Sequence, residues 1–470
     1  MNLPAAFIER TRQLLGDEKY QLFSEALQQE VPVSIRPNTC KCNHLIEGVP
    51  VPWASAIGTY LPNRPTFTFD PLFHAGAYYV QEASSMFVSR ALQEYVHDPV
   101  VMLDLCAAPG GKSTLARSVL PEGSLLVANE VMRNRSQVLA ENLVKWGHPE
   151  VVVTNNDPAD FTPLHHLFDV ILTDVPCSGE GMFRKDEVAV EEWSLENVDI
   201  CWRRQRRILG DIWPTLKPGG LLIYSTCTFN VEENEENVAW IAKELGADIL
   251  PVPAEEGWHI TPNLAGKDFP VYRFLPGFTK GEGFFMAVLR KHDAPVETVA
   301  YRPEKKKKNK EAKRKGNVAV VSVPKEAKQW IAQPDSYQWE VRNNTIVAIP
   351  LHYANEFALL RQSLKVIHEG ITIAEIKGKD LIPQHSLAMS TQRQTEVFTE
   401  AELSYEQAIA YLRKEGLVLD PAIPRGYVLV TYHHLPLGFV KNIGNRANNL
   451  YPQEWRIRSG YLPENPILVW

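Results

Sequence analysis

The sequence predicts an α/β protein built on a doubly wound parallel sheet, with smaller α+β regions before and after it. Two observations carry this. Short, uninterrupted apolar runs alternate with stretches of helical spacing through the first half of the chain, the pattern of parallel strands covered by helices on both faces. A lysine-rich run then divides the 470 residues into two parts, each long enough for a compact domain.

In order, "VVMLDLC", Val100 to Cys106, predicts the first strand; glycines close it, and a helical stretch starts at Lys112. "LLVANE", Leu125 to Glu130, predicts the second, followed by a helix from about Arg133 to Trp146. "VVVTNND", Val151 to Asp157, and "FDVILTDVP", Phe168 to Pro176, predict the third and fourth. A long helix from about Leu195 to Leu216 leads to "LLIYSTC", Leu221 to Cys227. On that helix Ile200, Ile208 and Ile212 share a face, which leaves Arg203, Arg204, Arg206 and Arg207 as the solvated remainder. After the lysine run, "SYEQAIAYLRKEGL" opens with a capping serine, and Arg425 to Arg458 reads as short strands with Gly and Asn turns.

Hydrophobic residues make up 44% of the chain, ample for a large core, yet no run reaches the roughly 20 residues of a membrane span. The start, "MNLPAAFIERTRQLLG", mixes charges into its apolar positions and reads as an amphipathic helix, not a secretory signal. A cytoplasmic, membrane-free and monomeric protein is the expectation. The six cysteines are irregularly spaced and form no disulfide framework, and Cys40 and Cys42 lack a second pair at zinc spacing, so no metal is expected. The net charge of −7 conceals a segregation: "KKKKNKEAKRKG", Lys305 to Gly316, carries +7 and the remainder −14. Such a run repels itself and reads as a disordered linker, which serves either as a tether or as a polyanion contact.

Ligands of a doubly wound sheet sit beyond the carboxyl ends of its strands. There lies "DLCAAPGGK", whose turn Cys106, Ala107, Ala108, Pro109, Gly110, Gly111 and Lys112 lets a ligand approach the backbone. It is neither a dinucleotide fingerprint nor a P-loop. Glu130 ends the second strand, placed for ribose hydroxyls, and Asp157 ends the third, placed for an adenine edge. Each acid alone is as well explained as a helix cap or turn residue. Together they suit an adenosine joined to an amino acid, S-adenosyl-L-methionine. Two cysteines, Cys177 in "DVPCSGEG" and Cys227 in "STCTFN", stand at the ends of the fourth and fifth strands. Buried free cysteines are usually inert, and Cys40, Cys42 and Cys201 stay in that class, with Cys106 a backbone contact of the loop.

"DLCAAPGGKST", "DVPCSGEG", "STCTFNVEENE" and "GEGFFMAVLRK", with "SIRPNT" and "YYVQEASSM" upstream, resemble the RNA cytosine-C5 methyltransferases of the Nol/Nop/Sun family, closest to the RsmF type that modifies 16S rRNA. The resemblance spans about Ser34 to Lys291 and implies a Rossmann-like methyltransferase core. It departs at "RFLPGFTKGEG", where Gly277 stands in place of a frequent histidine. Cytosine C5 is too weak a nucleophile for a sulfonium methyl, so a thiolate must first add at C6. The resemblance implies that Cys227 is that thiolate, that Cys177 assists release, that Asp174 lies near N3 of the base and contacts the cofactor, and that Lys112 meets the cofactor carboxylate. Pro-Cys cysteines attack in DNA cytosine methyltransferases, so the residues alone leave the order of the two thiols open.

The implied organisation is an N-terminal RNA-binding segment (1–95), the methyltransferase domain (96–293), a basic linker (294–320) and a C-terminal RNA-binding region (321–470), PUA-like from about 385. Candidate RNA contacts are Arg36 in "SIRPNT", Arg184 and Lys185 in "MFRKDEVAVEEW", and Lys441, Arg446 and Arg456 near the C-terminus, where Phe439, Tyr451 and Trp455 suit base stacking. The expected partner is rRNA within the small ribosomal subunit or its precursor. Transfer RNA is the alternative substrate, and an inactive RNA-binding assembly factor the alternative class.

Overall fold

The computed structural model describes residues 3–42, 46–293 and 323–470. The basic linker, with its lysine run, lies outside the described residues.

The central sheet contains β1 (Val101–Asp104), β2 (Leu125–Asn129), β3 (Val151–Thr154), β4 (Phe168–Asp174), β5 (Leu216–Thr226), β6 (Ala247–Leu250), β7 (Phe284–Lys291) and β8 (Val366–Glu369), in the spatial order β6-β7-β5-β4-β1-β2-β3-β8. β1 to β5 pair in parallel, whereas β7 is antiparallel to β5 and β6 to β7. Alternate residues of each apolar run enter opposite cores. Met102, Leu126, Val153 and Leu172 pack on one face with Leu115 and Leu139, from helices α1 (Gly111–Val119) and α2 (Arg133–Trp146). Leu103, Val127, Val152 and Ile171 pack on the other with Ile208, Leu209 and Ile212 of α3 (Leu195–Ile212). Burial on both faces is why these strands read as continuous apolar runs.

The first four expected strands exist and end earlier, because the apolar runs continue past the last strand pairing into buried turns such as Leu105 and Val175, whereas the fifth begins at Leu216, ahead of the expected Leu221. α3 corrects one expectation. Ile200 is exposed, and the buried face is Cys201, Gln205, Ile208 and Ile212, whose four-three-four spacing holds one side of a 3.6-residue helix.

The chain segments before and after the central sheet pack against it and against each other. β8, from beyond the linker, pairs antiparallel with β3 and closes that edge of the sheet, and Val347, Ile349, Phe357 and Leu360 join the α3-side core. An edge strand covered in this way presents no unpaired backbone. The N-terminal sheet, with Ser34–Pro37 and Tyr78–Val80 adjacent, shares a core with the C-terminal sheet of Gly426–Tyr432 and Leu435–Asn442 through Ile35, Tyr78, Val430 and Tyr451.

Gly277, the departure noted in the sequence, has φ +88, and a Cβ there would stand 2.7 Å from the carbonyl oxygen of Leu22. The N-terminal helices approach this loop so closely that only glycine fits. Nearby, the fully buried Arg273 is bidentate to Glu235 and donates to the carbonyl of Phe229 at 2.6 Å.

Removing one member of that pair strands a buried charge. Glu235→Ala is expected to lower unfolding free energy by about 3–5 kcal/mol, while the double variant Glu235→Leu/Arg273→Met recovers most of it; urea titrations followed by circular dichroism read the difference, and equal losses in both variants would contradict it.

Candidate active site

β4 and β5 run side by side, with Asp174 opposite Ser225, and the chain leaves them through Pro176-Cys177 and through Cys227. Their two sulfurs lie 3.3 Å apart. A lattice of hydrogen bonds between the two departing loops sets this distance. Gly181 N–H donates to the Cys227 carbonyl at 2.8 Å, an approach so close that a Cβ on Gly181 would stand 2.8 Å from that oxygen. Ser178 and Thr228 hydroxyls meet at 2.9 Å. Glu180, buried, accepts from the backbone of Phe229 at 2.7 Å and Asn230 at 3.0 Å and from the Trp193 indole at 3.0 Å. Glu233, also buried, accepts from Ser178 N–H at 3.0 Å, from Gln205 Nε2 at 2.7 Å and from Asn230 Nδ2 at 2.7 Å. The same Gln205 nitrogen donates to the Pro176 carbonyl at 3.0 Å.

These partners have consequences for protons. Burial pushes Glu233 up to about 7 despite its donors. The contact with Cys227, then burial and the charge of Glu233, hold the Cys177 thiol well above the usual cysteine range, which keeps it protonated. Burial likewise raises Cys106 and makes it inert.

Asp174 accepts from Lys112 Nζ at 2.8 Å and from Ser225 Oγ at 2.9 Å. Burial by itself would lower Lys112, but Asp174 outweighs it and keeps the lysine above its ordinary value. Lys112 is therefore tied to Asp174 rather than turned to solvent, and this bond uses one of the three N–H donors of its ammonium group. Asp104 accepts from Ser113 Oγ at 2.6 Å, its other oxygen has no donor among the described residues, and burial pushes its carboxyl up to about 7. Glu130 accepts from Met132 N–H at 2.9 Å and pairs with Arg135 at 3.3 Å. Asp157 caps the turn at Ala159 and pairs with Arg207 at 3.0 Å; the bond from Arg207 holds it below the usual carboxylate range.

All these groups border one cleft with two lobes. The larger, of about 530 Å³, is bounded by Asn129, Glu130, Asp157, Cys177 and Arg207. The smaller, of about 350 Å³, is bounded by Tyr79, Gln81, Lys112, Lys185, Glu282 and Phe284. Cys106, Ala108, Asp174, Met182 and Cys227 line both. The wall between the lobes thus carries two thiols, Cys106 and Cys227, and the carboxylate tied to Lys112, and the glycine-rich turn 106–112 forms its base.

Of the expected RNA contacts, Arg36 is withdrawn. It is fully buried, stacked over Trp146 and hydrogen-bonded to Gln81, Ser118 and Thr114, so it fastens the N-terminal sheet to α1. Arg184 donates to the carbonyls of Gly281, Gln29 and Glu30, and also serves to bind segments together. Lys185 pairs with Glu282 at 2.6 Å beside the small lobe. Lys441 pairs with Asp380 at 3.1 Å, whereas Arg446 and Arg456 are exposed. Phe439 and Tyr451 are core residues, and Trp455 packs against His385; neither buried ring is open to stacking by a base. The residues that sequence reasoning missed are Glu180, Asn230, Glu233 and Gln205. The acidic run after Cys227 was a signal, since carboxylates so near a buried strand end require donors.

Comparison with known proteins agrees with this geometry. The family model of 16S rRNA methyltransferase RsmB/F matches residues 91–290, that of the N-terminal domain of 16S rRNA methyltransferase RsmF matches 3–83, and that of the methyltransferase RsmF PUA domain matches 398–457. The chain is similar to ribosomal RNA small subunit methyltransferase F of Cronobacter sakazakii, 30% identical over 99% of this chain and 98% of that one. Its counterpart from Citrobacter koseri is 31% identical over 98% and 97%. Among solved structures, a methyltransferase homolog from Pyrococcus horikoshii is 26% identical, covers 62% of this chain and 100% of its own, and superposes with a TM-score of 0.51. NSun6 from the same organism, 21% identical over 62% and 99%, gives 0.53 and shares the fold.

The lattice makes a prediction about Cys177. Glu233→Gln sets an amide nitrogen against existing donors and removes one of the charges that raise the thiol, so alkylation of Cys177 by iodoacetamide at pH 8.5 should speed up. Peptide mass spectrometry, with Cys227 as internal reference, measures the ratio; an unchanged ratio would mean that Glu233 does not control this thiol.

Proposed function

This chain belongs to the RsmB/F family of 16S rRNA methyltransferases, and from that premise we propose that it methylates C5 of one cytosine in small-subunit rRNA through a covalent adduct of Cys227 with C6. The observation that supports this reading most is the 3.3 Å contact of Cys177 and Cys227 beside the Asp174–Lys112 pair. An N-methyltransferase needs no thiol at the reacting atom, and two at one spot suit a mechanism with separate addition and release steps.

The residues fit S-adenosyl-L-methionine. Asp104 has a buried oxygen without a donor, the kind of acceptor an ammonium group satisfies. Glu130 and Asp157 border the larger lobe, which is roomy enough for a nucleoside. When bound, the cofactor supplies an electrophilic methyl group. The chain's own part begins with Cys227, whose thiolate forms a bond to C6 and makes C5 nucleophilic. Asp174, with two oxygens that each accept one bond already, retains lone pairs to hold a proton on N3 of the base. Lys112 keeps that carboxylate in place. After transfer a water molecule takes the C5 proton, the electron pair of that C–H bond re-forms the C5–C6 double bond and the S–C6 bond breaks to return the Cys227 thiolate; Cys177, protonated and in contact with the departing sulfur, donates a hydrogen bond to it. A flipped base is required for any of this, because C6 is unreachable inside a helix.

Substrate rRNA implies a cytoplasmic protein. Among the described residues no helix is long and apolar enough to cross a membrane. Arg446, Arg456, Lys441 and Lys185 are the remaining candidates for phosphate contact, and every site residue named comes from one chain, so a monomer suffices.

Two tests follow. Purified wild type, Cys177→Ala and Cys227→Ala proteins are incubated with S-adenosyl-L-methionine and rRNA from cells lacking the enzyme, then run on denaturing gels. Cys177→Ala should accumulate an RNase-sensitive adduct, and Cys227→Ala should form none and methylate nothing; sequencing the trapped RNA identifies the cytosine, and methylation by Cys227→Ala would refute the assignment. In calorimetry, cofactor affinity should rise about tenfold from pH 6 to pH 8, as Asp104 changes from mainly protonated to ionised around 7, and should be flat in Asp104→Asn. A wild-type profile without that rise would remove Asp104 from the cofactor site.

A further inference from the structure

Cys227 borders both lobes; with the nucleoside of the cofactor assigned above to the larger, the smaller is left for the pyrimidine, and its free hydrogen-bonding groups decide which pyrimidine it accepts. Four carboxylates border it: Glu82, Asp104, Asp174 and Glu282. Three are committed. Asp174 holds Lys112 and Ser225, and Asp104 holds Ser113 and is assigned above to the cofactor. Glu82 accepts from three backbone N–H groups, those of Ser84 at 2.9 Å, Ser85 at 2.9 Å and Glu282 at 3.1 Å. Glu282 is different. Its Oε1 pairs with Lys185 at 2.6 Å, and its Oε2 meets no donor among the described residues.

Its location is also right. Phe285 pairs with Thr226 across β7 and β5, so Phe284 lies across from Cys227 and Glu282 stands two residues before it. The carbonyls of Cys227 and Gly283 both fall within 3.3 Å of a Cβ built on Gly181, which places the backbone beside Glu282 against the nucleophile's own. Glu282 is itself only 5% exposed, a buried anion that Lys185 compensates on one side only.

We infer that Glu282 is a specificity-determining residue, whose free oxygen accepts a hydrogen bond from the exocyclic 4-amino group of the target cytosine. The inference rests on the C5-methylation reading. Cytosine offers a donor at position 4, while uracil offers a carbonyl oxygen that would face a carboxylate. A site built to accept from a substrate N–H discriminates strongly against a base that lacks it, because the buried acceptor is then left unpaired. Burial pushes the Glu282 carboxyl up; Lys185, on the far oxygen, opposes that push and fixes the orientation of the group.

The test removes the amino group and the carboxylate separately. Two RNA fragments span the cytosine trapped by Cys177→Ala, one natural and one with 2-pyrimidinone, which has hydrogen in place of the amino group, at that position. Single-turnover adduct formation is measured for wild type, Glu282→Ala and Glu282→Gln, with thermal unfolding of each. The cytosine-to-pyrimidinone rate ratio should fall about tenfold or more from wild type to Glu282→Ala, since one good polar contact to a base edge is worth that much, and Glu282→Gln, which keeps an acceptor, should lie between. The intrinsic reactivities of the two bases cancel in this comparison. If both rates of Glu282→Ala fall together and the ratio stays at the wild-type value, Glu282 is structural only and the inference is overturned. If wild type forms no adduct with the natural fragment, the C5 reading has failed, and that outcome is distinct because it precedes any comparison of variants.

Discussion

The active site depends on the buried carboxylates of Glu180 and Glu233, which accept hydrogen bonds across the two loops that leave β4 and β5. An ionised carboxylate is costly to bury unless its lone pairs are met, and here the donors come from both loops at once: Ser178 from one, Phe229 and Asn230 from the other, and Gln205 from α3. Neither loop can shift without stranding an acceptor. That constraint, more than any property of the cysteines, keeps two sulfurs in contact at a site open to a ligand. Glycine at 181 is part of the same device, because the loop backbones pass too close for a Cβ.

The N-terminal and C-terminal regions are fused to this core by the same type of contact. Arg36, a cation that a sequence reader assigns to RNA, is consumed in fastening the N-terminal sheet to α1, where its desolvation is offset by three hydroxyl or amide partners and the face of Trp146. β8 fastens the region beyond the linker to β3. Fusion of this kind leaves little binding energy to be lost in ordering the regions.

The distribution of charge around the cleft has a simple logic. Asp174 and Lys112 satisfy one another, as do Lys185 and one oxygen of Glu282, and the groups left with unused capacity face the lobes. Asp104 and Glu282 are the two carboxylates of the cleft with an oxygen that meets no donor among the described residues, one beneath the glycine-rich turn and the other on the wall of the small lobe.

The sequence by itself determined the doubly wound sheet, because strands buried on two faces must be written as continuous apolar runs, and it determined the chemistry-bearing positions, because strand ends such as Asp104, Glu130, Asp174, Cys177 and Cys227 are fixed once the strands are. Family membership was legible for the same reason, in motifs confined to those ends. Tertiary structure alone decided which polar residues were spent on the fold. Arg36, Tyr451 and Glu233 carry side chains that serve a surface or an interior equally well, and their fates follow from distant partners that no local pattern encodes, such as Gln81 for Arg36, 45 residues away, and Ser178 for Glu233, 55 residues away. The attachment of β8 to β3 belongs to the same class: a short strand of four residues carries too little pattern to name its neighbour, and only the unpaired edge it covers explains its place.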